Sequence, residues 1–180
     1  LLAIGGDFTG KAKIYSVSGT NVTYISDIFE DAGTTAFTSR VSCVKFSPDG
    51  SLLVVCSGNN AYLYSVNGTE VTYQSTIIKY GNTARIAEFS PDGSLLVVCG
   101  GWLAKVYSVS GNTVTLIGDI PVDENGSAIE NNVYGVAFSN DGTLFAMGGG
   151  TLNNLFTKLY SVNGNTITYN YDATISTENS

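Results

Sequence analysis

Three aspartates at one repeated position are the first side chains in this sequence that could do chemistry. Asp49, Asp92 and Asp141 each precede a glycine in a Ser-Pro-Asp-Gly or Ser-Asn-Asp-Gly phrase. Carboxylates that meet in space can act as general acid and base or can bind a cation. An aspartate in a tight turn has a simpler role, because it accepts hydrogen bonds from the backbone that follows it. Since the three phrases lie far apart in the chain, the sequence favours the turn role.

Further carboxylates lie in or beside two long connections, over residues 27–40 and 120–132. They are Asp27, Glu30, Asp31, Asp119, Asp123, Glu124 and Glu130. Ca²⁺ takes roughly six to eight oxygen ligands, which binding loops supply from closely spaced carboxylates. No Asp-x-Asp-x-Asp-Gly loop is present. We therefore expect solvated acidic loops, no metal site and no cofactor.

Other groups suited to catalysis are scarce. The chain contains no histidine, which removes the commonest general base and the commonest transition-metal ligand. Its three cysteines cannot form a four-thiolate zinc site. The glycine run at 148–150 lacks the Lys-Ser/Thr ending of a phosphate-binding loop. We therefore expect no catalytic residues and no enzyme activity.

Two of the cysteines form a candidate disulfide. A hairpin closed by the first Asp-Gly turn places Cys43 directly opposite Cys56, and opposed residues of an antiparallel pair can come within disulfide reach. Cys99 favours the other reading, because it repeats the position of Cys56 but has Ile86 opposite it. The sequence leaves both readings open: a bridge, or small buried thiols.

Three Asn-x-Ser/Thr triplets begin at Asn21, Asn67 and Asn125, and all fall at expected turns or loops. Such triplets are acceptors for N-glycosylation in secreted proteins. The residues Asp, Glu, Lys and Arg make up only 13% of the chain. Together these features favour an extracellular location, although a tight turn alone explains Asn67.

Charge and hydropathy limit the classes of partner. The formal net charge is −7, and the eight basic residues are scattered singly. A nucleic-acid surface needs a basic stripe to neutralise phosphates, so we expect no nucleic-acid partner. A membrane-spanning helix needs about 20 apolar residues, and the longest apolar runs here are only about as long as a strand. We therefore expect no membrane span.

An internal repeat positions all of these residues. The phrase at residues 46–56 returns at 89–99 without a change, and a looser form occurs at 138–145. A second repeated phrase, Tyr-Ser-Val, is followed by a Ser-Gly or Asn-Gly turn and a β-branched stretch. It occurs at residues 15–17, 64–66, 107–109 and 160–162. Both phrases predict β-hairpins, and a period of forty-odd residues predicts one supersecondary unit built several times.

The repeat predicts an all-β chain of four units with four short strands each. The unit boundaries are 1–28, 29–78, 79–120 and 121–180. The first unit begins at the equivalent of its second strand, so its opening strand is missing and a bare sheet edge is expected. Exposed edges pair with other strands. We therefore predict an assembly edge at Leu1, Leu2, Ala3 and Ile4 and at Thr166, Ile167, Thr168 and Tyr169.

These phrases resemble the WD-repeat β-propeller family over essentially the whole chain. In that family a Phe-Ser-Pro-Asp-Gly-type turn follows the first strand of a blade, and a Trp-Asp dipeptide closes the third strand. Here Tyr-Ser stands in place of Trp-Asp, and the Gly-His dipeptide that opens a typical blade is absent, since there is no histidine. The resemblance implies a propeller of four-stranded antiparallel blades with the first incomplete.

The expected function is a non-catalytic scaffold that binds other protein chains. The chain would be part of a longer protein, or copies of it would self-assemble by strand complementation into a larger ring or filament. The alternative is a lectin-like propeller that binds carbohydrate or another ligand through loop aromatics, such as Trp102, and carboxylates on one face.

Overall fold

The computed structural model contains only β-strands as regular elements among the residues it describes. These are residues 1–6, 11–78, 83–102, 104–121, 123, 125, 127, 131–151 and 154–172. Within them no helix is long and apolar enough to cross a membrane. The strands form four antiparallel sheets, which we call blades 1 to 4 in chain order.

Each blade is a meander, because consecutive strands pair along tight turns. Blade 1 contains β1 (Leu2–Gly6), β2 (Lys11–Ser18) and β3 (Asn21–Ile28). Blade 2 contains β4 (Val41–Phe46), β5 (Leu52–Ser57), β6 (Asn60–Asn67) and β7 (Glu70–Ile78). Blade 3 contains β8 (Ala84–Phe89), β9 (Leu95–Gly100), β10 (Ala104–Ser110) and β11 (Thr113–Asp119). Blade 4 contains β12 (Val133–Phe138), β13 (Leu144–Thr151), β14 (Asn154–Asn163) and β15 (Thr166–Asp172).

The predicted fold class is confirmed: four-stranded antiparallel blades with the first lacking its opening strand. Blade 1 has the order β1-β2-β3, and β1 corresponds to β5 of blade 2. No described strand pairs with the outer flank of β1. The unit boundaries drawn from the sequence stay predictions.

The repeated aspartates have the predicted turn role. Asp49 accepts hydrogen bonds from the Ser47 hydroxyl at 2.6 Å and from the Ser51 N–H at 3.0 Å. Gly50 takes a φ of 74°, which suits glycine. Asp92 and Asp141 repeat these contacts. The bonds favour the charged carboxylate and lower the pKa of each, that of Asp141 to about 2.

The turns of successive blades also touch one another. A Cβ placed on Gly93 would lie 3.6 Å from Cδ of Pro48, and one on Gly142 would lie 3.6 Å from Cδ of Pro91. These are ordinary van der Waals distances. The Asp-Gly turns of blades 3 and 4 are therefore each packed against the turn of the preceding blade.

The hydrophobic core is divided among the three blade boundaries. The second strand of blade 2, β5, illustrates this division, because all six of its residues are buried. Leu52 and Val54 pack into the cluster between blades 2 and 3, whereas Leu53 and Val55 pack into the cluster between blades 1 and 2. Successive side chains of a strand point to opposite faces, so one strand contributes to two cores. A third cluster joins blades 3 and 4.

In blades 2 and 3 a repeated tyrosine forms a hydrogen bond to a carbonyl at or just beyond the end of the preceding blade. The Tyr64 hydroxyl donates to the Phe29 carbonyl at 2.5 Å, and the Tyr107 hydroxyl donates to the Ile77 carbonyl at 3.4 Å. Tyr160 occupies the same position in blade 4, but its buried hydroxyl has no hydrogen-bond partner among the described residues. Burial raises the pKa of all three phenols.

We predict that Tyr64→Phe lowers the free energy of unfolding by about 1–2 kcal/mol. The substitution removes a short hydrogen bond between blades and leaves the Phe29 carbonyl without its donor. Tyr160→Phe is the matched control. It removes a buried hydroxyl that has no described partner, so we expect the unfolding free energy to stay the same or to rise.

Urea unfolding of the two variants and of the unchanged protein measures this difference. A shift of the transition midpoint without a change in the m-value reports a change in the free energy of unfolding. Equal destabilisation by the two substitutions would contradict the proposed contact between blades.

Candidate functional site

The first strand of blades 2, 3 and 4 begins with a β-bulge at the same position. The register shifts between Val41 and Cys43, between Ala84 and Ile86, and between Val133 and Gly135. The extra residues are Ser42, Arg85 and Tyr134. A bulge re-aims a side chain and is common beside active sites. The same irregularity thus presents three chemically different side chains.

These three side chains line one cavity. It lies where β4, β8 and β12 begin, at the opposite end of the blades from the Asp-Gly turns, and we call it the opening-end cavity. Its volume is about 480 Å³. The lining residues are Ser39, Arg40, Ser42, Gly58, Thr83, Arg85, Ile86, Val133 and Tyr134. Residues from three blades therefore contribute to one concave surface.

Hydrogen bonds brace the segments that carry these side chains. The Gly58 N–H donates to the Arg40 carbonyl at 3.3 Å. The next residue, Asn59, accepts the Thr83 N–H at 3.2 Å through its side-chain oxygen. The Ser42 hydroxyl lies 3.2 Å from the Ala84 carbonyl. The second and third of these contacts join blades 2 and 3 at the cavity wall.

Thr83 adopts a backbone conformation that is unfavourable for a β-branched residue. Its φ is +44°, and among the described residues it is the one non-glycine with a positive φ. The adjacent strand comes very close, because a Cβ on Gly100 would overlap the Thr83 carbonyl oxygen. Strained backbone of this kind concentrates at functional sites and persists only where its surroundings enforce it.

The cavity has positive electrostatic character. Arg40 and Arg85 are the only arginines of the chain. The Arg85 guanidinium lies 6.0 Å from the centre of the Tyr134 ring, close to cation–π range. Tyr134 nevertheless keeps 59% of its surface exposed. The described lining residues include no Asp or Glu.

The described ion pairs all use lysine. They are Lys13–Asp27, Lys45–Glu88, Lys105–Asp119 and Lys158–Asp172. Three of them join neighbouring strands of one blade, and Lys45–Glu88 joins β4 to β8. Asp31 and Asp123, in the long connections, accept hydrogen bonds from nearby backbone N–H groups. No cluster of acidic or thiol side chains suited to a metal ion occurs among the described residues, and Glu124 and Glu130 lie outside them.

Cys43 and Cys56 are directly opposed in the register, as predicted, and both are free thiols. The Cys43 sulfur accepts the Ala87 N–H at 3.4 Å. A hydrogen bond from the Cys56 thiol is the main cause that lowers the pKa of Cys43 to about 7, and the same pairing raises the pKa of Cys56. Burial raises the pKa of Cys99 to about 12. A disulfide between the opposed pair stays a prediction.

The roles of the remaining predicted sites stay predictions, and most of these residues are exposed. Asn21, Asn67 and Asn125 are all solvent-accessible. At the first predicted edge, Leu1, which precedes β1, is exposed, as are Leu2 and Ile4, and Ala3 is half-buried. On β15 Thr166 and Thr168 are exposed, Ile167 is buried and Tyr169 is half-buried. The two edges lie in blades 1 and 4 and do not meet in the described structure. Trp102 is 65% exposed and is not part of the cavity lining.

Sequence reasoning missed Arg40 and Arg85, because it treated the basic residues as scattered. One signal was available. Aligning the repeats places Arg40 two residues before Ser42, whose counterpart in the next unit is Arg85. Both arginines therefore fall at the opening of equivalent strands, where neighbouring blades meet.

The family resemblance is confirmed by a match of residues 31–65 to the WD domain, G-beta repeat model. The matched segment contains β4, β5 and most of β6. WD-repeat propellers generally bind protein partners. No curated protein sequence matches the chain.

Solved structures share the propeller fold at low sequence identity. A putative 6-phosphogluconolactonase from Bacteroides uniformis has a TM-score of 0.70 and 15% identity, over 89% of this chain and 50% of that protein. The periplasmic gluconolactonase PpgL of Pseudomonas aeruginosa has a TM-score of 0.73 and 14% identity, over 97% and 53%. Sqt1 of Saccharomyces cerevisiae has a TM-score of 0.63 and 16% identity, over 76% and 36%. The chain thus spans about half the length, or less, of these similar proteins.

The expectation of a non-catalytic assembly scaffold, with its lectin-like alternative, is contradicted by the propellers named as lactonases, and so is the expectation of no enzyme activity. The expectation was based on the missing histidine and on the lack of carboxylates at a readable spacing. That reasoning fails physically because a propeller collects the residues of one site from several blades. Such residues have no fixed spacing in the sequence.

We predict that Gly100→Ala lowers the free energy of unfolding by about 1–3 kcal/mol and shifts the segment that carries Thr83 and Arg85. The new methyl group would overlap the Thr83 carbonyl, and overpacking of this kind forces the backbone to move. Gly118→Ala is the control, because a Cβ there meets no atom within 4 Å. Thermal unfolding compares the two variants, and an equal effect would contradict the close approach.

We predict that Cys43 is alkylated fastest of the three cysteines and that its rate rises through about pH 7. A lowered pKa means that the thiolate, which is the nucleophile, forms above that pH. Mass spectrometry after timed iodoacetamide treatment of the reduced protein measures the rate at each pH, and Cys43→Ser should remove the fast phase. A midpoint at the ordinary thiol pKa, about 8.5, would be inconsistent with this assignment.

Proposed function

We propose that this propeller hydrolyses a small cyclic ester of the sugar-lactone class in the opening-end cavity. The observation that carries the proposal is the convergence of three bulged positions, Ser42, Arg85 and Tyr134, on one cavity of about 480 Å³. That volume suits a small ligand, for which pockets range over roughly 300–1,000 Å³. The substrate class comes from the lactonase names of similar propellers. Because the chain spans about half their length, the activity of the whole protein is part of the proposal.

The reaction needs stabilisation of a negative oxygen. Water adds to the ester carbonyl carbon, and the carbonyl oxygen becomes an oxyanion in the tetrahedral intermediate. The bond from that carbon to the ring oxygen then breaks. The ring oxygen takes a proton and becomes a hydroxyl group, and the product is an open-chain hydroxy acid.

Arg85 is the residue best placed to stabilise the oxyanion. An arginine guanidinium is a cation with several N–H donors in a fixed geometry. The exposed Tyr134 ring beside it offers an aromatic surface against which a ligand can pack. Donors fixed in place before the reaction are commonly worth about 10²–10³ in kcat.

The proton of the attacking water needs a different acceptor. An arginine cannot accept it, because its guanidinium remains protonated. No carboxylate or histidine occurs among the described lining residues. In the proposed reaction the proton passes to solvent water, and the chain contributes binding and polarisation of the carbonyl group.

We predict that the full chain accelerates the hydrolysis of glucono-1,5-lactone above the spontaneous rate and that Arg85→Gln lowers kcat about 10²-fold. Acid release at constant pH measures the rate. Lys11→Gln is the matched control, because it removes one positive charge from an exposed residue of β2 outside the cavity. An unchanged lactone half-life in the presence of the protein would overturn the proposal, as would equal losses in the two variants.

A further inference from the structure

We propose that Cys43 and Cys56 form a redox-active pair, in which a peroxide oxidises Cys43 and Cys56 then closes a disulfide bond with it. This chemistry does not depend on the proposed hydrolysis, since neither cysteine lines the opening-end cavity. Three observations carry it: the opposition of the two residues, the contacts of the Cys43 sulfur and the unequal burial of the two thiols.

The two side chains lie opposite each other on the same face of blade 2. In the register of β4 and β5, Cys43 is the direct partner of Cys56. Cys56 belongs to the core cluster between blades 2 and 3, and Cys43 packs against that cluster. Opposed residues of an antiparallel pair have Cα atoms about 4.5 or 5.5 Å apart, and a disulfide spans about 4.4–6.8 Å between Cα atoms. A bridge can therefore close without a change in strand pairing.

The contacts of the Cys43 sulfur favour its thiolate form. The Ala87 N–H of β8 donates to this sulfur at 3.4 Å, and the Cys56 thiol donates to it as well. Two donors aimed at one sulfur stabilise its negative charge, and the thiolate is the form that attacks an oxidant. The neutral Cys43 thiol makes a weaker contact, at 3.9 Å, to the Ala87 carbonyl. The charged groups that act on the sulfur, Lys45 and Glu88, pair with each other at 2.8 Å, so their effects oppose one another.

Unequal burial gives the two thiols different roles. Cys43 is half-buried, whereas Cys56 is fully buried. A small oxidant from solvent therefore reaches Cys43 first. The hydrogen bond to Cys43 and burial raise the pKa of Cys56, so this thiol stays protonated until its neighbour has reacted. An accessible thiolate beside a second thiol that can resolve its oxidised form is the arrangement typical of redox-sensitive cysteines.

The reaction balances with hydrogen peroxide as the oxidant. The Cys43 thiolate attacks one peroxide oxygen, the O–O bond breaks, hydroxide leaves and the sulfur becomes a sulfenic acid. The Cys56 sulfur then attacks the sulfenic sulfur, so that an S–S bond forms and the S–O bond breaks. The departing hydroxide takes the proton of the Cys56 thiol. Two thiols are oxidised to one disulfide, and one peroxide is reduced to two molecules of water.

Cys99 is an internal comparison for this pair. It has in blade 3 the position that Cys56 has in blade 2, but Ile86 lies opposite it. Cys99 is fully buried in the cluster between blades 3 and 4, and burial raises its pKa to about 12. We therefore expect Cys99 to stay reduced while the opposed pair is oxidised.

Peptide mapping of the full chain after treatment with hydrogen peroxide tests the proposal. Trypsin cuts after Lys45 and so separates the two cysteines into the peptides 41–45 and 46–79. Iodoacetamide added before digestion blocks free thiols and prevents exchange. We expect these two peptides to be joined by a disulfide and Cys99 to be alkylated. A thiol reductant should restore three free thiols, because a disulfide is reversible.

Single substitutions separate the roles of the two cysteines. Cys56→Ala should leave Cys43 as a sulfenic acid that dimedone traps, because the resolving thiol is gone. Cys43→Ser should slow the oxidation of Cys56 at least about tenfold, because the remaining thiol is buried and protonated. Cys99→Ala is the matched control and should leave the yield of the joined peptides unchanged.

The pH dependence supplies a second readout on the unchanged protein. The rate of bridge formation should increase as the pH rises through about 7, where Cys43 becomes a thiolate. A rate that rises only near the ordinary thiol pKa, about 8.5, would count against Cys43 as the attacking group.

Several products would overturn the proposal. They are a bridge from Cys43 to Cys99, a bridge between two chains, and a sulfinic acid at Cys43 with the Cys56 thiol intact. Equal oxidation rates of Cys43 and Cys99 would overturn it as well. None of these measurements uses lactone hydrolysis, so failure of the redox pair and failure of the proposed function are distinguishable.

Discussion

The need to cover both faces of every blade is the constraint on which this structure depends. A sheet whose second strand is buried along its whole length, such as β5 or β9, cannot be stable with one face in water. Successive residues of those strands enter different clusters, so each boundary between blades has its own core. Burial of apolar side chains thus holds neighbouring blades together, and backbone pairing holds each blade together. The phenol hydrogen bonds and the contacts between turns add directional restraint to this packing.

The site depends on the same arrangement. Blades that are fixed against each other bring the beginnings of β4, β8 and β12 to one place, and a bulge in each of them presents a side chain there. The supporting backbone repeats: the carbonyls of Arg40, Thr83 and Asn132 each accept an N–H from a glycine of the same blade. The side chains at the bulges differ, as a hydroxyl, a guanidinium and a phenol. A repeated frame therefore carries a non-repeated set of functional groups.

The contrast between a repeated backbone and non-repeated side chains explains how much could be predicted from the sequence. Turn phrases and strand register are local, so the Asp-Gly hairpins, the incomplete first blade and the opposition of Cys43 and Cys56 could all be derived from residue order. The cavity could not, because Arg40 and Arg85 come together through packing between two blades. A list of single basic residues does not mark them, and only the alignment of the repeats places both arginines at the opening of equivalent strands. The bulges that redirect Arg85 and Tyr134 likewise depend on pairing that composition does not encode.

The division of the core by boundaries has an evolutionary consequence. A copied blade brings one apolar face for each neighbour, so a gene can lengthen by one such unit without redesigning the interior that already exists. The eleven residues at 46–56 and 89–99 are identical, as duplicated stretches of coding sequence are before they diverge. The equivalent positions just before these two stretches, Ser42 and Arg85, carry different residues. Descent by copying can thus preserve the architecture while leaving a few codons free to acquire new chemistry.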